Sequence, residues 1–246
     1  RVEDRGTAVN LVPMTGHGNL RGSVIGYAGR PASKKEIAAM IALLEEEMAA
    51  GSRGMSSGLV YPPGSFADFE ELASLLKVIG EKGIYATHMR NESDRVEAAV
   101  EEAIALAEAS GISLQISHLK AQNRKNWSRL RTCLEMIEAA RSRGLDCHCD
   151  RYPYLASATD LDILLPARAT EGGAEEELRR LRDPAERRKL VPEVDREDWK
   201  SVVISRVTGS ANRKIEGMHM EDIAAGRNKP PLDTFFDLLV EEELKV

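Results

Sequence analysis

The sequence contains few cysteines, no long apolar run and no excess of positive charge. Its three cysteines, Cys133, Cys147 and Cys149, form no regular framework, so a reducing, cytoplasmic location is expected rather than a secretory one. No apolar run reaches the length of a membrane span, so we expect no membrane partner. A net charge of −6 argues against nucleic acid as a partner. Neither G-x-G-x-x-G nor a P-loop pattern occurs, which disfavours a nucleotide-binding sheet.

A repeating pattern runs through the first 159 residues. Short apolar runs of strand length alternate with stretches that have helical periodicity, in units of about thirty residues. The expected strands lie in 9–18, 53–63, 84–89, 112–119 and 145–154, and the expected helices in 33–51, 68–83, 93–111 and 126–144. Strands that alternate with helices predict an α/β fold with a parallel sheet. Polar residues at successive strand ends favour a (β/α)8 TIM barrel, which five strands leave incomplete.

The pattern breaks after residue 159, which predicts three regions. Residues 1–159 are expected to form the barrel units. Residues 160–230 are rich in charge and are expected to form an inserted α+β segment over the catalytic face, and 231–246 return to a barrel helix.

Histidines end two successive apolar runs, His88 in "GIYATHMRNE" and His118 in "GISLQISHLK". Asp150 occupies the equivalent position on the following run. Neighbouring parallel strands lie about 4.8 Å apart, so these side chains are expected to meet at one mouth. Two imidazoles and a carboxylate suit a zinc-type divalent cation. The alternative is that each histidine is a structural strand-end residue with its own hydrogen bond.

Charged and phenolic side chains follow the same strand ends. Arg90 and Lys120 each lie two residues beyond a histidine, where they could anchor a substrate carboxylate or form ordinary loop ion pairs. Tyr152 could bind a carbonyl or carboxylate, or pack over the barrel rim. His17, in "TGHGN", could line the same mouth or hold a turn. Cys147 and Cys149 could bind metal as a C-x-C pair, or be small core residues.

Several motifs in order resemble the D-aminoacylases, the N-acyl-D-amino-acid deacylases of the amidohydrolase superfamily. They include "GMSSGLVYPPG", "YATHMRNE", "QISHLKA" and "DRYPY", and the resemblance covers nearly the whole chain, from about residue 7 to 240. It implies a distorted TIM barrel with a small β-sandwich. It also implies a zinc ion held by a cysteine from an early strand and by two later histidines, which match His88 and His118. Family substrate contacts match Lys120, Tyr152 and the loop near Ser157.

Other parts of the family pattern are absent from this sequence. The family's first-strand His-x-His and its metal cysteine would precede residue 1, and its catalytic aspartate would follow Val246. We therefore expect an internal fragment of a longer protein that hydrolyses nothing at a useful rate alone, and we assign no catalytic residue. Ser157-Ala158 stands where family members often have Gly-Ser, and Ala167-Arg168 where they often have Trp.

The resemblance implies that the parent protein is a zinc-dependent hydrolase acting on the amide bond of N-acyl-D-amino acids, a small-molecule substrate. One alternative is another amidohydrolase on the same scaffold, such as a dihydroorotase-like or dipeptidase-like enzyme. The other is a non-catalytic remnant barrel that serves binding or assembly. The sequence does not indicate which oligomeric state the protein adopts.

Overall fold

The computed structural model of the chain describes residues 2–194 and 199–246. It divides into two compact units. The first combines Arg1–Gly26 with Arg30–Tyr152, and the second combines Tyr27–Gly29 with Pro153–Val246. Within the described residues, no helix is both long and apolar enough to cross a membrane.

The first unit is built on a five-stranded parallel sheet whose strands follow chain order, β1-β2-β3-β4-β5. The strands are Thr15–Gly16 (β1), Gly54–Gly58 (β2), Ile84–His88 (β3), Ser113–Ile116 (β4) and Cys147–Cys149 (β5). The α/β class and the parallel sheet predicted from the sequence are confirmed, and the described strands form an open sheet rather than a closed barrel.

Helices connect the strands and cover the core. They are Val2–Arg5 (α1), His17–Val24 (α2), Lys34–Ala49 (α3), Phe69–Ile79 (α4), Val96–Ser110 (α5) and Arg129–Ser142 (α6). Ser33 begins α3 with a capping box to Glu36, and Asp68 caps α4 by accepting a hydrogen bond from the Glu71 amide. Gly111 ends α5 in the left-handed region, where glycine carries no Cβ penalty. Local sequence signals therefore set several of the helix ends that position the strands.

The first predicted strand is much shorter than the apolar run suggested. Only Thr15 and Gly16 pair with β2, and α2 begins at once with His17. Val9, Leu11 and Val12 are each more than half exposed. Pro13 lies in the middle of the run and has no amide hydrogen to donate to a ladder, which limits strand pairing there.

The second unit is a set of helices around its own apolar core. The helices are Ala174–Arg182 (α7), Pro184–Leu190 (α8), Met220–Gly226 (α9) and Pro231–Glu241 (α10). Helix α10 packs against α7 and α9 and buries Phe235 and Phe236 completely. The predicted limits at residues 159 and 230 stay a prediction.

Glu177 is a buried carboxyl group inside this second unit. It lies on α7, is 4% exposed, and its Oε1 has no hydrogen-bond partner among the described residues. Burial, together with the nearby Asp162 carboxylate, raises the pKa of Glu177 to about 8. Burial also raises the pKa of Asp162, to about 6. Glu177 therefore keeps its proton near neutral pH.

This proton predicts a loss of stability as pH rises through neutrality. Between pH 6.5 and about 8 the folded Glu177 holds a proton that the unfolded chain has released, so the free energy of unfolding falls by up to about 1.4 kcal/mol per pH unit. Glu177→Gln should flatten this slope, and Glu175→Gln, on an exposed residue of the same helix, should leave it unchanged. Urea midpoints followed by circular dichroism from pH 6.5 to 8 measure the slopes. Equal slopes in wild type and Glu177→Gln would contradict the assignment.

Candidate metal centre

The two strand-end histidines meet at the carboxyl edge of the sheet. β3 ends at His88, and Thr87 pairs with Ile116, so Ser117 stands beside His88 and His118 follows one residue later. The two imidazole rings lie edge to face, with their centroids 4.6 Å apart. The ring of Tyr61 flanks His88 at 5.1 Å. The sequence prediction that these histidines share one mouth agrees with this geometry.

Glu92 supplies the carboxylate of the group, and sequence reasoning missed it. The ligand atoms of His88, Glu92 and His118 lie within 4.8 Å of one another. Glu92 Oε1 is 3.1 Å from His118 Nδ1, and Oε2 is 3.5 Å from His88 Nε2. Two imidazole nitrogens and a carboxylate are donors that zinc accepts, so these residues fit a divalent cation. The only sequence signal was the position of Glu92 four residues after His88.

Lys120 enters the same cluster. It is 7% exposed, and its Nζ lies 2.6 Å from both carboxylate oxygens of Glu92. The same Nζ is 3.1 Å from His118 Nδ1 and 5.7 Å from the centroid of the Tyr152 ring. The structure therefore brings together four of the residues selected from the sequence, His88, His118, Lys120 and Tyr152.

The electrostatics of the cluster keep His88 neutral. Burial, together with the neighbouring His118 and Lys120, lowers the pKa of His88 to about 4. A metal ligand must offer an unprotonated nitrogen, so a proton does not compete for His88 at neutral pH.

His118 adopts a backbone conformation that is uncommon for a residue with a side chain. Its φ is +41°, in the left-handed region. The Asp150 carboxylate accepts hydrogen bonds from the His118 amide and from Gln115 Nε2, both at 2.7 Å. Asp150 was expected to join the two histidines as a ligand, but the carboxylate that joins them is Glu92. Asp150 instead supports the turn that carries His118.

Arg90 is engaged in contacts inside the first unit. Its guanidinium donates to both carboxylate oxygens of Glu102 and to the carbonyls of Ser65 and Ala67. These bonds tie the loop after β2 to α5. Its expected role in substrate binding stays a prediction. The same holds for Ser157, which is exposed in the loop that opens the second unit.

The remaining candidates lie outside the cluster. His17 is fully buried and its Nε2 lies 2.8 Å from Glu71, whose other oxygen accepts from Arg21, so the structural alternative holds for His17. Cys147 is buried, which raises the pKa of its thiol to about 11, whereas Cys149 is exposed. Neither cysteine belongs to a metal-compatible group in the described part of the chain.

The support that Asp150 gives to His118 can be measured at single amides. Asp150→Ala removes the bond from the His118 amide but keeps the backbone carbonyl that accepts from the Leu119 amide at 2.9 Å. We expect faster hydrogen exchange at His118, unchanged exchange at Leu119, and a loss of about 1 kcal/mol of stability. Exchange followed by NMR provides the measurement. An unchanged rate at His118 would show that Asp150 does not hold the turn.

Comparison with solved structures places this fold among the amidohydrolases. A D-aminoacylase crystal structure that defines a subset of amidohydrolases matches with a TM-score of 0.72 and 29% identity, over 94% of this chain and 42% of that one. N-acyl-D-glutamate deacylase from Bordetella bronchiseptica, complexed with zinc and a phosphonate inhibitor that mimics the tetrahedral intermediate, matches with a TM-score of 0.76 and 29% identity. That match covers 96% of this chain and 44% of the other.

Sequence relatives point to the same group of enzymes. D-aminoacylase from Alcaligenes xylosoxydans xylosoxydans is 42% identical over 155 residues, which cover 63% of this chain and 32% of the relative. N-acyl-D-glutamate deacylase from the same organism is 38% identical over 164 residues, which cover 66% and 33%. No family model matches the chain. The resemblance to D-aminoacylases inferred from the motifs is thus confirmed, and the chain spans about a third of the length of these relatives.

Proposed function

We propose that the full-length gene product containing this sequence is a zinc-dependent hydrolase that cleaves the amide bond of N-acyl-D-amino acids. The products are a carboxylate and a free D-amino acid. The observation that carries this proposal is the pair of imidazoles, His88 and His118, at the ends of adjacent parallel strands. Its support from comparison is 42% identity to a D-aminoacylase over 155 residues.

His88 and His118 would hold the zinc ion, and their surroundings suit that task. His88 stays neutral at physiological pH, and Asp150 fixes the backbone of His118. When bound, zinc supplies a Lewis acid that polarises the scissile carbonyl. No general acid or base is assigned within this chain.

Lys120 and Tyr152 would orient the substrate. An N-acyl-amino acid carries a carboxylate, and an ammonium beside it makes a charge-assisted hydrogen bond. Lys120 forms an ion pair with Glu92 and lies 3.1 Å from His118 Nδ1, so a substrate bound to it would lie next to a metal ligand. Arg90 and Ser157 remain secondary candidates for substrate binding. We also propose a cytoplasmic location, which the three free cysteines support.

The first prediction of the proposed function is that the two histidines bind zinc. In equilibrium dialysis with zinc, the chain should bind about one equivalent at the histidine pair. The two imidazoles would supply two ligands, and water would fill the open positions. A His88→Ala/His118→Ala double variant should lose this zinc. A His148→Ala/His219→Ala double variant, which removes two exposed histidines, should retain it. Zinc that persists in the first variant, or no zinc in the wild type, would overturn the proposed centre.

Stereospecific hydrolysis is the second prediction, and its assay uses the full-length gene product. Release of free amino acid should occur from N-acetyl-D-amino acids and not from their L enantiomers. Lys120→Ala should lower kcat/KM by about 10- to 100-fold, which corresponds to the loss of one hydrogen bond to a charged group. Lys125→Ala, on an exposed lysine outside the cluster, is the control. Preference for dihydroorotate or a dipeptide, or equal rates for both enantiomers, would refute the proposed substrate class.

A further inference from the structure

Glu92 occupies the centre of the cluster, where its side chain contacts His88, His118 and Lys120. Its side chain is almost completely buried, and the residue is 5% exposed. One oxygen faces His118 and the other faces His88, while the ammonium of Lys120 bridges both. Burial of a carboxylate is destabilising unless hydrogen-bond donors or opposite charges satisfy its oxygens.

The contacts of Lys120 and Glu92 bear on which ring nitrogen of His118 carries its hydrogen. An ammonium has three N–H donors and no acceptor. Three oxygens lie within reach of Nζ: the two carboxylate oxygens of Glu92 at 2.6 Å, and the His118 carbonyl at 3.3 Å. His118 Nδ1 lies 3.1 Å from this donor and at the same distance from Glu92 Oε1, which can only accept. A hydrogen on Nδ1 would be donated to the buried Glu92 carboxylate, and Lys120 would keep Glu92 and the His118 carbonyl as acceptors.

We propose that Glu92 is a positioning residue, which fixes the orientation and tautomer of His118 and holds Lys120 beside it, rather than a metal ligand. This inference rests on the proposed function, because it describes how that site is prepared. A carboxylate that accepts the outer N–H of a ligating histidine fixes the ring and raises its basicity. With the proton on Nδ1, Nε2 of His118 keeps its lone pair for a cation.

The engagement of both carboxylate oxygens argues against direct ligation by Glu92. Oε1 accepts a hydrogen bond from Lys120 Nζ at 2.6 Å, and Oε2 lies at the same ion-pair distance from it. A cation bound to either oxygen would compete with the ammonium, and the like charges would repel at that distance. Glu92 would therefore support the imidazoles from outside the ligand set.

The tautomer of His118 is the first test, and it needs neither metal nor substrate. Long-range ¹H–¹⁵N NMR distinguishes the protonated ring nitrogen from the bare one, and the chain has only five histidines to assign. In the wild type we expect His118 to carry its hydrogen on Nδ1. In Glu92→Gln, which removes the charge and keeps the shape, the Nε2–H form should gain population. A wild-type His118 with its hydrogen on Nε2, or a tautomer unchanged by Glu92→Gln, would overturn the proposal.

Zinc affinity is the second test, and it separates positioning from ligation. Loss of an outer partner lowers metal affinity by about 10- to 100-fold, so Glu92→Gln should weaken zinc binding by that factor without abolishing it. Glu92→Asp, which keeps the charge, should recover part of the loss. Glu97→Gln, in a partly exposed ion pair between α5 and Arg129 of α6, should have no effect. Loss as complete as in His118→Ala would make Glu92 a ligand and overturn the proposal, as would unchanged affinity.

The two tests also distinguish this inference from the proposed function. If Glu92→Gln does not fold, the wild-type tautomer still decides the role of Glu92. If the wild-type chain binds no zinc while His118 carries its hydrogen on Nδ1, the proposed centre fails and the positioning by Glu92 stands. If zinc binds and the hydrogen lies on Nε2, the centre stands and the positioning fails.

Discussion

The hydrogen bonds between β3 and β4 fix the relative height of the two histidines. Thr87 pairs with Ile116, and the Ser117 amide continues the ladder by donating to the Thr87 carbonyl at 3.0 Å. A slip of one residue would turn every side chain of a strand to the opposite face of the sheet. His88 and His118 therefore meet only in this register. The approach of Glu92 and Lys120 to the imidazoles depends on the same pairing.

Charge balance is the second constraint at this edge of the sheet. Glu92 and Lys120 are both buried, and a buried charge without a partner is strongly destabilising. Each therefore stabilises the other, and His88 adds no charge because it stays neutral. Arg90 and Glu102 form a second ion pair that is only partly buried, and Arg90 also donates to two loop carbonyls. Of the two basic side chains that follow the strand ends, Arg90 and Lys120, Lys120 is thus the one that lies beside an imidazole.

Hydrophobic periodicity and strand-end position were enough to predict the α/β class, the parallel sheet and the pairing of His88 with His118. Glu92 was not predicted as a member of the cluster because it lies in the irregular loop between β3 and α5. In such a loop, no periodicity indicates which way a side chain points. Asp150 was expected to be a ligand because it follows a strand at the same level of the sheet as the histidines. Its position in the sequence does not indicate the hydrogen bond that directs its carboxylate to the His118 amide. The start of α5 was also placed early: Asn91 Oδ1 accepts from the Ser93 and Arg95 amides, and the helix begins at Val96.

The composition of the cluster bears on the kind of metal site it could form. A structural zinc site is closed by four protein ligands, whereas a catalytic one keeps a position for water or substrate. In the described residues the metal-compatible group has three members, and one of them, Glu92, already neutralises Lys120. Two imidazoles alone leave the coordination of a bound cation incomplete. Under the proposed function, these described residues would leave open positions on a bound cation, with the Lys120 ammonium beside it.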